Sequence, residues 1–264
     1  EDDFTNKPGT LEITKTIKGD VTPEEAAGLL TFEVKTTVTE DGQEVEKWIG
    51  HDGKLTTEET KLTLNEDFDF DEETKTFTLK LEELEAGEYT VIETDKDIDG
   101  NDVTVTYKVN GGDSQTGDTA AAEVTDGEIT KVDFENDYTK QTGTLELTKT
   151  IKGDITKEEA EGALTFIVAT KVTEDGQEVT KYLDKNGDLI DDEEKAVLTL
   201  KDFTYDEEAD KYTLTIERVD LGNYTVTETT KDIDGKEYTV KYSVNGEAQE
   251  EGSEAAATIE KDET

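Results

Sequence analysis

The sequence contains no cysteine, no methionine and only one histidine, His51. The absence of cysteine excludes disulfides, thiolate zinc sites, iron–sulfur clusters and a cysteine nucleophile. One imidazole cannot build a multi-histidine metal centre, and it leaves no second histidine to act as a general base. These absences exclude most enzyme chemistry, so we expect a protein that is not a turnover enzyme and that needs no cofactor.

Positive charge is also scarce. The 264 residues include 27 Lys plus Arg against 70 Asp plus Glu, which gives a net charge of -43. Nucleic acids and anionic membrane surfaces attract basic proteins, so we expect neither as a partner. The sequence also lacks an apolar run of about 18 residues, the length that a spanning helix requires, so we predict no membrane insertion. The acidic excess is instead typical of a solvated surface that keeps an extracellular protein soluble.

The residues that are present form a pattern of short β-strands. Apolar and polar residues alternate in stretches such as Leu11–Thr14, Val103–Tyr107 and Tyr224–Thr227, in which Thr, Tyr and Val suit a pleated sheet. Turns that contain glycine separate these stretches, as in Asp99-Gly100 and Asn245-Gly246. The sequence therefore predicts an all-β protein built from tandem sandwich-like domains, each with a polar outer face.

The chain contains an internal repeat. Gly9–Asp20 recurs with few changes as Gly143–Asp154, and the correspondence continues through most of the chain. Each copy has a single short helical segment after its first strand, because Thr22 and Thr156 are favourable N-cap residues. We therefore predict two copies of one domain. The predicted domains are residues 7–140 and residues 141–264.

The two copies end differently. The first closes with a strand over Glu128–Tyr138, whereas the second stops at Thr264, which aligns with Ile129 at the start of that strand. The first six residues, Glu1–Asn6, match Lys131–Asn136 with Asp, Phe and Asn in register. The second domain is therefore predicted to lack its own final strand, and residues 1–6 are predicted to be a separate donor strand.

Polar side chains fall on strand faces that are otherwise apolar. Counting every second residue places Lys15, Glu93 and Asn136 on inward faces of the first copy, and Lys149 and Glu228 on the equivalent faces of the second. Buried charges are costly unless they satisfy one another. We expect these residues to form one cluster in each domain.

Two interpretations of this cluster remain open from the residues alone. In the first, the lysine amine attacks the carbonyl carbon of the Asn side chain, while the Glu polarises that carbonyl and transfers protons until ammonia leaves. The product is a Lys–Asn isopeptide bond. In the second, Lys and Glu form a buried ion pair beside a hydrogen-bonded Asn.

At these residues the sequence resembles a known family, the isopeptide-linked immunoglobulin-like domains of CnaB type in Gram-positive pilins and surface adhesins. The similar segments are the opening strand that leads to Lys15, the strand Gly87–Thr94 and the closing strand Val132–Asn136. The resemblance covers both copies almost end to end. It implies immunoglobulin-like sandwiches and a location outside the cell, at the cell surface.

The resemblance also implies roles for individual residues. It makes Lys15 and Asn136 the partners of an intramolecular isopeptide bond, with Glu93 as the catalytic residue. In the second copy it makes Lys149 a bonding residue and Glu228 the catalytic residue. The second copy departs from the family pattern because it has no Asn strand of its own.

Two explanations account for the displaced strand. In one, the chain is a trimmed piece of a stalk in a cell-wall-anchored adhesin, and residues 1–6 belong to a preceding domain. In the other, residues 1–6 of one molecule complete the second domain of an identical neighbour, with Phe4 as the donor-strand anchor. Asn6 is then expected to bond with Lys149 of the neighbour, and head-to-tail contacts build a filament. The second explanation, a pilus subunit with a single-turnover reaction, is our leading hypothesis.

One loop has the composition of a cation site. Asp184, Asn186, Asp188 and Asp191 surround Gly187 and supply oxygen ligands of the kind that calcium prefers. We expect no metal to be required, with calcium in this loop as a secondary hypothesis.

Overall fold

The computed structural model describes residues 7–174, 176–230, 233 and 235–264. Strands dominate these residues, which divide into two compact units, one ending at Lys140 and the other beginning at Gln141. The predicted all-β sandwich fold is confirmed. The predicted donor strand, residues 1–6 with Phe4 and Asn6, lies outside the described residues.

The first unit is a sandwich of two sheets. Its elements are β1 (Gly9–Gly19), α1 (Pro23–Ala27), β2 (Thr31–Glu40), β3 (Gln43–Ile49), β4 (Leu55–Thr56), β5 (Leu62–Thr63), α2 (Leu64–Asp67), β6 (Asp69–Asp71), β7 (Thr76–Leu84), β8 (Gly87–Asp95), β9 (Asn101–Val109), β10 (Gln115–Thr116), β11 (Thr119–Val124) and β12 (Ile129–Lys140). One sheet has the order β10-β9-β12-β1-β7-β6, and the other has the order β11-β8-β2-β3-β4, with β5 also paired to β2.

The first and last strands of this unit lie side by side. β1 pairs in parallel with β12 and antiparallel with β7, so it has a neighbour on both edges. Along β12, Val132, Phe134, Asn136 and Tyr138 are buried while most of the residues between them are more exposed. This is the period-two alternation of a strand with one face in the core.

The second unit repeats the strand succession of the first unit from β1 to β11. Its elements are β13 (Thr142–Lys149), α3 (Lys157–Ala163), β14 (Thr165–Glu174), β15 (Gln177–Leu183), β16 (Leu189–Ile190), a 3-10 turn (Glu193–Ala196), β17 (Leu198–Thr199), a second 3-10 turn (Leu200–Asp202), β18 (Thr204–Asp206), β19 (Lys211–Asp220), β20 (Gly222–Thr230), β21 (Lys241–Tyr242), β22 (Glu250–Glu251) and β23 (Glu254–Ile259). Its sheets have the orders β13-β19-β18, β16-β15-β14-β20-β23 with β17 on β14, and β21-β22.

Both predicted helix starts are confirmed. Thr22 accepts a hydrogen bond from the backbone N–H of Glu25, whose carboxylate accepts one from the backbone of Thr22, and Thr156 and Glu159 repeat this capping box in α3. The prediction of a single helix per copy is wrong. The first unit also contains α2, which buries Leu64, and the second contains two 3-10 turns, which bury Ala196 and Leu200.

The two units differ along one edge of β13. β13 pairs with β19, as β1 pairs with β7, but no described strand pairs along the edge where β12 would lie. β9 pairs with β12 along its whole length. Among the described strands, its counterpart β21 pairs only with β22 and has no neighbour equivalent to β12, and it has two residues where β9 has nine.

Phe134 is the main apolar contact of β12 with the core. Its ring centroid lies 5.4 Å from that of Phe32 and 5.7 Å from that of Tyr107, and the residue is 1% exposed. We expect Phe134→Ala to lower the free energy of unfolding of the first unit by about 3–5 kcal/mol, because it leaves a cavity. Urea unfolding followed by the fluorescence of Trp48, the only tryptophan, measures this loss.

Ile129 on the same strand provides the control, because it is 57% exposed. We expect Ile129→Ala to change the free energy of unfolding by less than about 0.5 kcal/mol. Equal losses for the two variants would contradict the anchoring role of Phe134.

Candidate functional site

The candidate site of the first unit is assembled from three strands. Lys15 lies in the middle of β1 and Asn136 on the parallel neighbour β12, while Glu93 lies on β8 in the facing sheet. The register sets Lys15 opposite Phe134, so Asn136 is two residues further along on the same face. A long lysine side chain can span such a diagonal. The three residues that the sequence analysis grouped are therefore close in space, and we call them the trio.

One carboxylate oxygen contacts both nitrogens of the trio. Oε1 of Glu93 lies 2.6 Å from Nζ of Lys15, and it accepts a hydrogen bond of 2.9 Å from Nδ2 of Asn136. Oε1 is thus positioned to take a proton from one nitrogen and give a proton to the other. The predicted contact of Glu93 with the Asn carbonyl is not the one observed, because the amide nitrogen faces the carboxylate.

The trio is enclosed by apolar side chains. Lys15 and Asn136 are 0% exposed and Glu93 is 1% exposed. The aromatic rings of Phe32 and Phe134 lie 5.7 Å and 6.0 Å from Nζ. Among the described residues, Oε2 of Glu93 and Oδ1 of Asn136 have no hydrogen-bond partner, whereas Nζ of Lys15 is 2.6 Å from Oε1 of Glu93. Polar atoms left unpaired in a core are costly.

Burial shifts both titratable groups toward their neutral forms. It lowers the pKa of Lys15 to about 8, although the Glu93 carboxylate acts in the opposite direction. Burial also raises the pKa of Glu93, partly opposed by the nearby Lys15 ammonium. A neutral amine is a nucleophile and a protonated carboxyl group is a proton donor. The enclosed site therefore favours the protonation states that acyl transfer requires.

Tyr138, which the sequence pattern did not single out, also touches the trio. Its hydroxyl accepts a hydrogen bond of 3.1 Å from Nδ2 of Asn136 and donates one of 2.7 Å to the backbone carbonyl of Lys96. The period-two pattern contained the signal, because Tyr138 follows Asn136 by two residues on the inward face of β12.

The second unit holds two of the equivalent side chains. Nζ of Lys149 donates a hydrogen bond of 2.8 Å to Oε2 of Glu228, and we call this pair the half-site. The Lys149 side chain is 19% exposed, whereas the Lys15 side chain is 0% exposed. Asn6, the predicted partner of Lys149, lies outside the described residues. The half-site is therefore in partial contact with solvent.

Near the start of β13, the backbone makes the same hydrogen bond as near the start of β1. The backbone N–H of Thr144 donates a hydrogen bond of 2.8 Å to the carbonyl of Glu263, as that of Thr10 does to the carbonyl of Glu128 at 3.0 Å. In the first unit β12 continues from this point along β1. A strand that follows the same path in the second unit would lie beside Lys149.

A groove opens next to this edge. Its volume is about 450 Å³, and its lining includes Thr144, Tyr242, Val244, Ala256 and Ile259. The neighbouring apolar side chains are less covered than their counterparts in the first unit. The partly exposed residues are Leu147, Ile151, Val226, Ala255 and Ala257, whereas Ile13, Ile17, Val91, Ala120 and Ala122 are buried.

In the loop that contains Asp184 and Asp191, the carboxylates contact other groups of the chain. Asp184 Oδ1 accepts hydrogen bonds from the backbone N–H groups of Asn186 and Asp188, and Asp191 lies 2.7 Å from Nζ of Lys181. In the part of the chain that the structure describes, no three His, Cys, Asp or Glu side chains are grouped to hold a metal ion. None of the helices described is both long and apolar enough to cross a membrane.

Comparisons with known proteins give structural neighbours only. No family model and no curated protein matches the sequence. The crystal structure of the major pilin from Streptococcus pyogenes is similar at 17% identity and a TM-score of 0.38, covering 97% of this chain and 95% of that chain. The major pilin of another Streptococcus pyogenes serotype aligns at 15% identity and a TM-score of 0.42, with the same coverage. Sequence identities and TM-scores at this level do not assign a function to this chain.

The depressed pKa of Lys15 predicts a specific dependence of stability on pH. In the Asn136→Ala variant, which keeps Lys15 and Glu93, the unfolded lysine retains its proton to higher pH than the folded one. The free energy of unfolding should therefore rise by about 2–3 kcal/mol between about pH 8 and pH 10.5 because of this group. Urea unfolding across that range, compared with Asn136→Ala/Lys15→Met, isolates the contribution. Parallel pH profiles in the two variants would contradict it.

Proposed function

We propose that this chain is a structural subunit of an extracellular filament at the cell surface, locked by Lys–Asn isopeptide bonds that form without a separate enzyme. The observation that carries the proposal is the buried contact of Glu93 Oε1 with both Lys15 Nζ and Asn136 Nδ2. This contact brings together the amine, the proton-transfer group and the departing nitrogen that the proposed reaction requires.

The reaction balances without any external reagent. A proton passes from Lys15 to Glu93 and leaves a neutral amine, which attacks Cγ of Asn136. The Nζ–Cγ bond forms and the Cγ–Nδ2 bond breaks. Oε1 of Glu93 transfers its proton to Nδ2 and takes one from Nζ, so ammonia leaves and Glu93 ends as the neutral carboxylic acid. The fixed positions of the three side chains replace the encounter that slows the same reaction in solution.

The product is better suited to the core than the reactants. An ion pair between Lys15 and Glu93 places two charges among apolar side chains, which is a costly arrangement. After the reaction, the amine has become a neutral amide N–H that can pair with the Glu93 carboxyl group. The static ion-pair interpretation leaves Oε2 of Glu93 and Oδ1 of Asn136 without hydrogen-bond partners among the described residues.

We further propose that residues 1–6 of one subunit complete the second unit of the next. The edge of β13 that no described strand covers offers backbone groups for strand addition, and the groove beside it is lined by both polar and apolar side chains. Phe4 would take the place that Phe134 has in the first unit, and Asn6 would meet the half-site. Because the donor and acceptor are different surfaces of one chain, repeated addition extends head to tail instead of closing.

Intact mass in denaturant tests the internal bond. We expect the folded chain to have lost ammonia, and we expect Glu93→Gln to prevent the loss of the ammonia released by the Lys15–Asn136 reaction, since Gln cannot transfer the proton. Glu33→Gln is the matched control, because Glu33 is also buried but bonds to Trp48 instead of the trio. A wild-type chain with its full mass, or an unchanged loss in Glu93→Gln, would contradict the proposal.

Two asparagine variants test the bond between subunits. We expect the wild-type chain to form multimers that survive boiling in detergent. Asn6→Ala should abolish this ladder while the internal loss of ammonia remains, and Asn136→Ala should have the reverse effect if the variant folds. A monomeric wild type with the internal bond would instead support the alternative function, a stalk segment of a cell-wall-anchored adhesin with intradomain bonds only.

A further inference from the structure

The nitrogen that leaves Asn136 has a second contact besides Glu93. Nδ2 donates one hydrogen bond to Glu93 Oε1 and another to the hydroxyl of Tyr138, at 2.9 Å and 3.1 Å. Both N–H bonds of the carboxamide are therefore engaged, whereas Oδ1 has no hydrogen-bond partner. The orientation of the carboxamide is fixed entirely from its nitrogen side.

The hydroxyl of Tyr138 is held in the orientation that this contact needs. Its own proton is donated to the backbone carbonyl of Lys96 at 2.7 Å, so a lone pair is left to face Nδ2. Tyr138 is 1% exposed, which leaves its hydroxyl little access to competing water. The residue is thus oriented through β12 on one side and the segment after β8 on the other.

We propose that Tyr138 takes part in isopeptide bond formation by holding the departing nitrogen of Asn136 against Glu93. This inference rests on the proposed function. Rotation of the carboxamide by half a turn would put Oδ1 against Glu93 and move Nδ2 out of reach of the proton. The Tyr138 hydroxyl opposes that rotation, because it accepts from N–H and its own proton is already used.

The step balances with Tyr138 unchanged. Nζ of Lys15 bonds to Cγ of Asn136, the Cγ–Nδ2 bond breaks, and one proton moves from Nζ through Glu93 to Nδ2. Tyr138 neither gains nor loses a proton, and it releases its contact when ammonia leaves. Its effect is therefore on the rate of the step and not on the product.

The same inference makes the bond between subunits slower than the internal bond. When Asn6 is aligned with Asn136, the position of Tyr138 falls on Pro8. Proline has no hydroxyl, so a donor segment that includes Pro8 cannot hold the departing nitrogen in this way. Internal bonds are therefore expected to form first, and the joints between subunits to follow.

A refolding experiment tests the role of Tyr138. The chain is isolated unfolded and unlinked in urea, refolded by dilution, and quenched in acid for mass measurement. Trp48 fluorescence gives the folding rate separately. We expect Tyr138→Phe to fold normally and to lose ammonia about tenfold more slowly, the effect of one lost hydrogen bond in the transition state.

Tyr89→Phe is the matched control. Tyr89 is 2% exposed and donates a hydrogen bond of 3.0 Å to the carbonyl of Glu85, with no contact to Lys15, Glu93 or Asn136 in the bonds described. It should lose ammonia at the wild-type rate. Equal rates for wild type and Tyr138→Phe would overturn the role of Tyr138 alone, whereas a wild type that loses no ammonia would contradict the proposed function itself.

A second measurement separates chemistry from packing. The Asn6→Ala chain is mixed with a peptide of residues 131–140, or with the same peptide carrying Phe at position 138, and the adduct on Lys149 is followed by mass. We expect the Phe peptide to react about tenfold more slowly at saturation, with little change in the half-saturating concentration. A change confined to the half-saturating concentration would show that Tyr138 only packs, and it would overturn the proposal.

Discussion

The parallel pairing of β1 with β12 is the contact on which the other features of the first unit depend. It supplies β1 with a second neighbour, gives β9 a strand to pair with, and covers one side of the core. It also brings Lys15 and Asn136 to the same face. The second unit shows what depends on that strand. No described strand there is equivalent to β12, β21 is only two residues long, and the apolar residues near β13 are partly exposed.

Burial determines which chemistry the shared residue types can perform. Lys15 and Lys149 each contact a glutamate on the strand across the sandwich, yet one side chain is fully enclosed and the other is 19% exposed. Removal of water favours the neutral amine and the carboxylic acid. In the proposed assembly, the arriving strand therefore supplies both the Asn side chain and the dry surroundings for its reaction.

The alternation of residues was sufficient to predict the strands and the inward faces of Lys15, Glu93 and Asn136, and the N-cap residues Thr22 and Thr156 predicted where two helices begin. It could not predict the contact of Glu93 with the amide nitrogen, because the orientation of the carboxamide depends on Tyr138 and on the Lys96 carbonyl from a distant segment. Nor could it predict the short β21, since this segment and β9 have similar sequences. The pairing partner, and not the local propensity, decides the length of that strand.

The spacing of Lys15 and Asn136 along the chain has a consequence for extensibility. The two residues lie near opposite ends of the first unit, so a bond between them closes a ring that contains almost all of its residues. Closing a loop of this size removes unfolded-state entropy equivalent to roughly 4–5 kcal/mol. More directly, a pull on the two ends of the unit passes through the bond and leaves the residues inside the ring without tension. Even an unfolded first unit would then lengthen only by the few residues outside the ring.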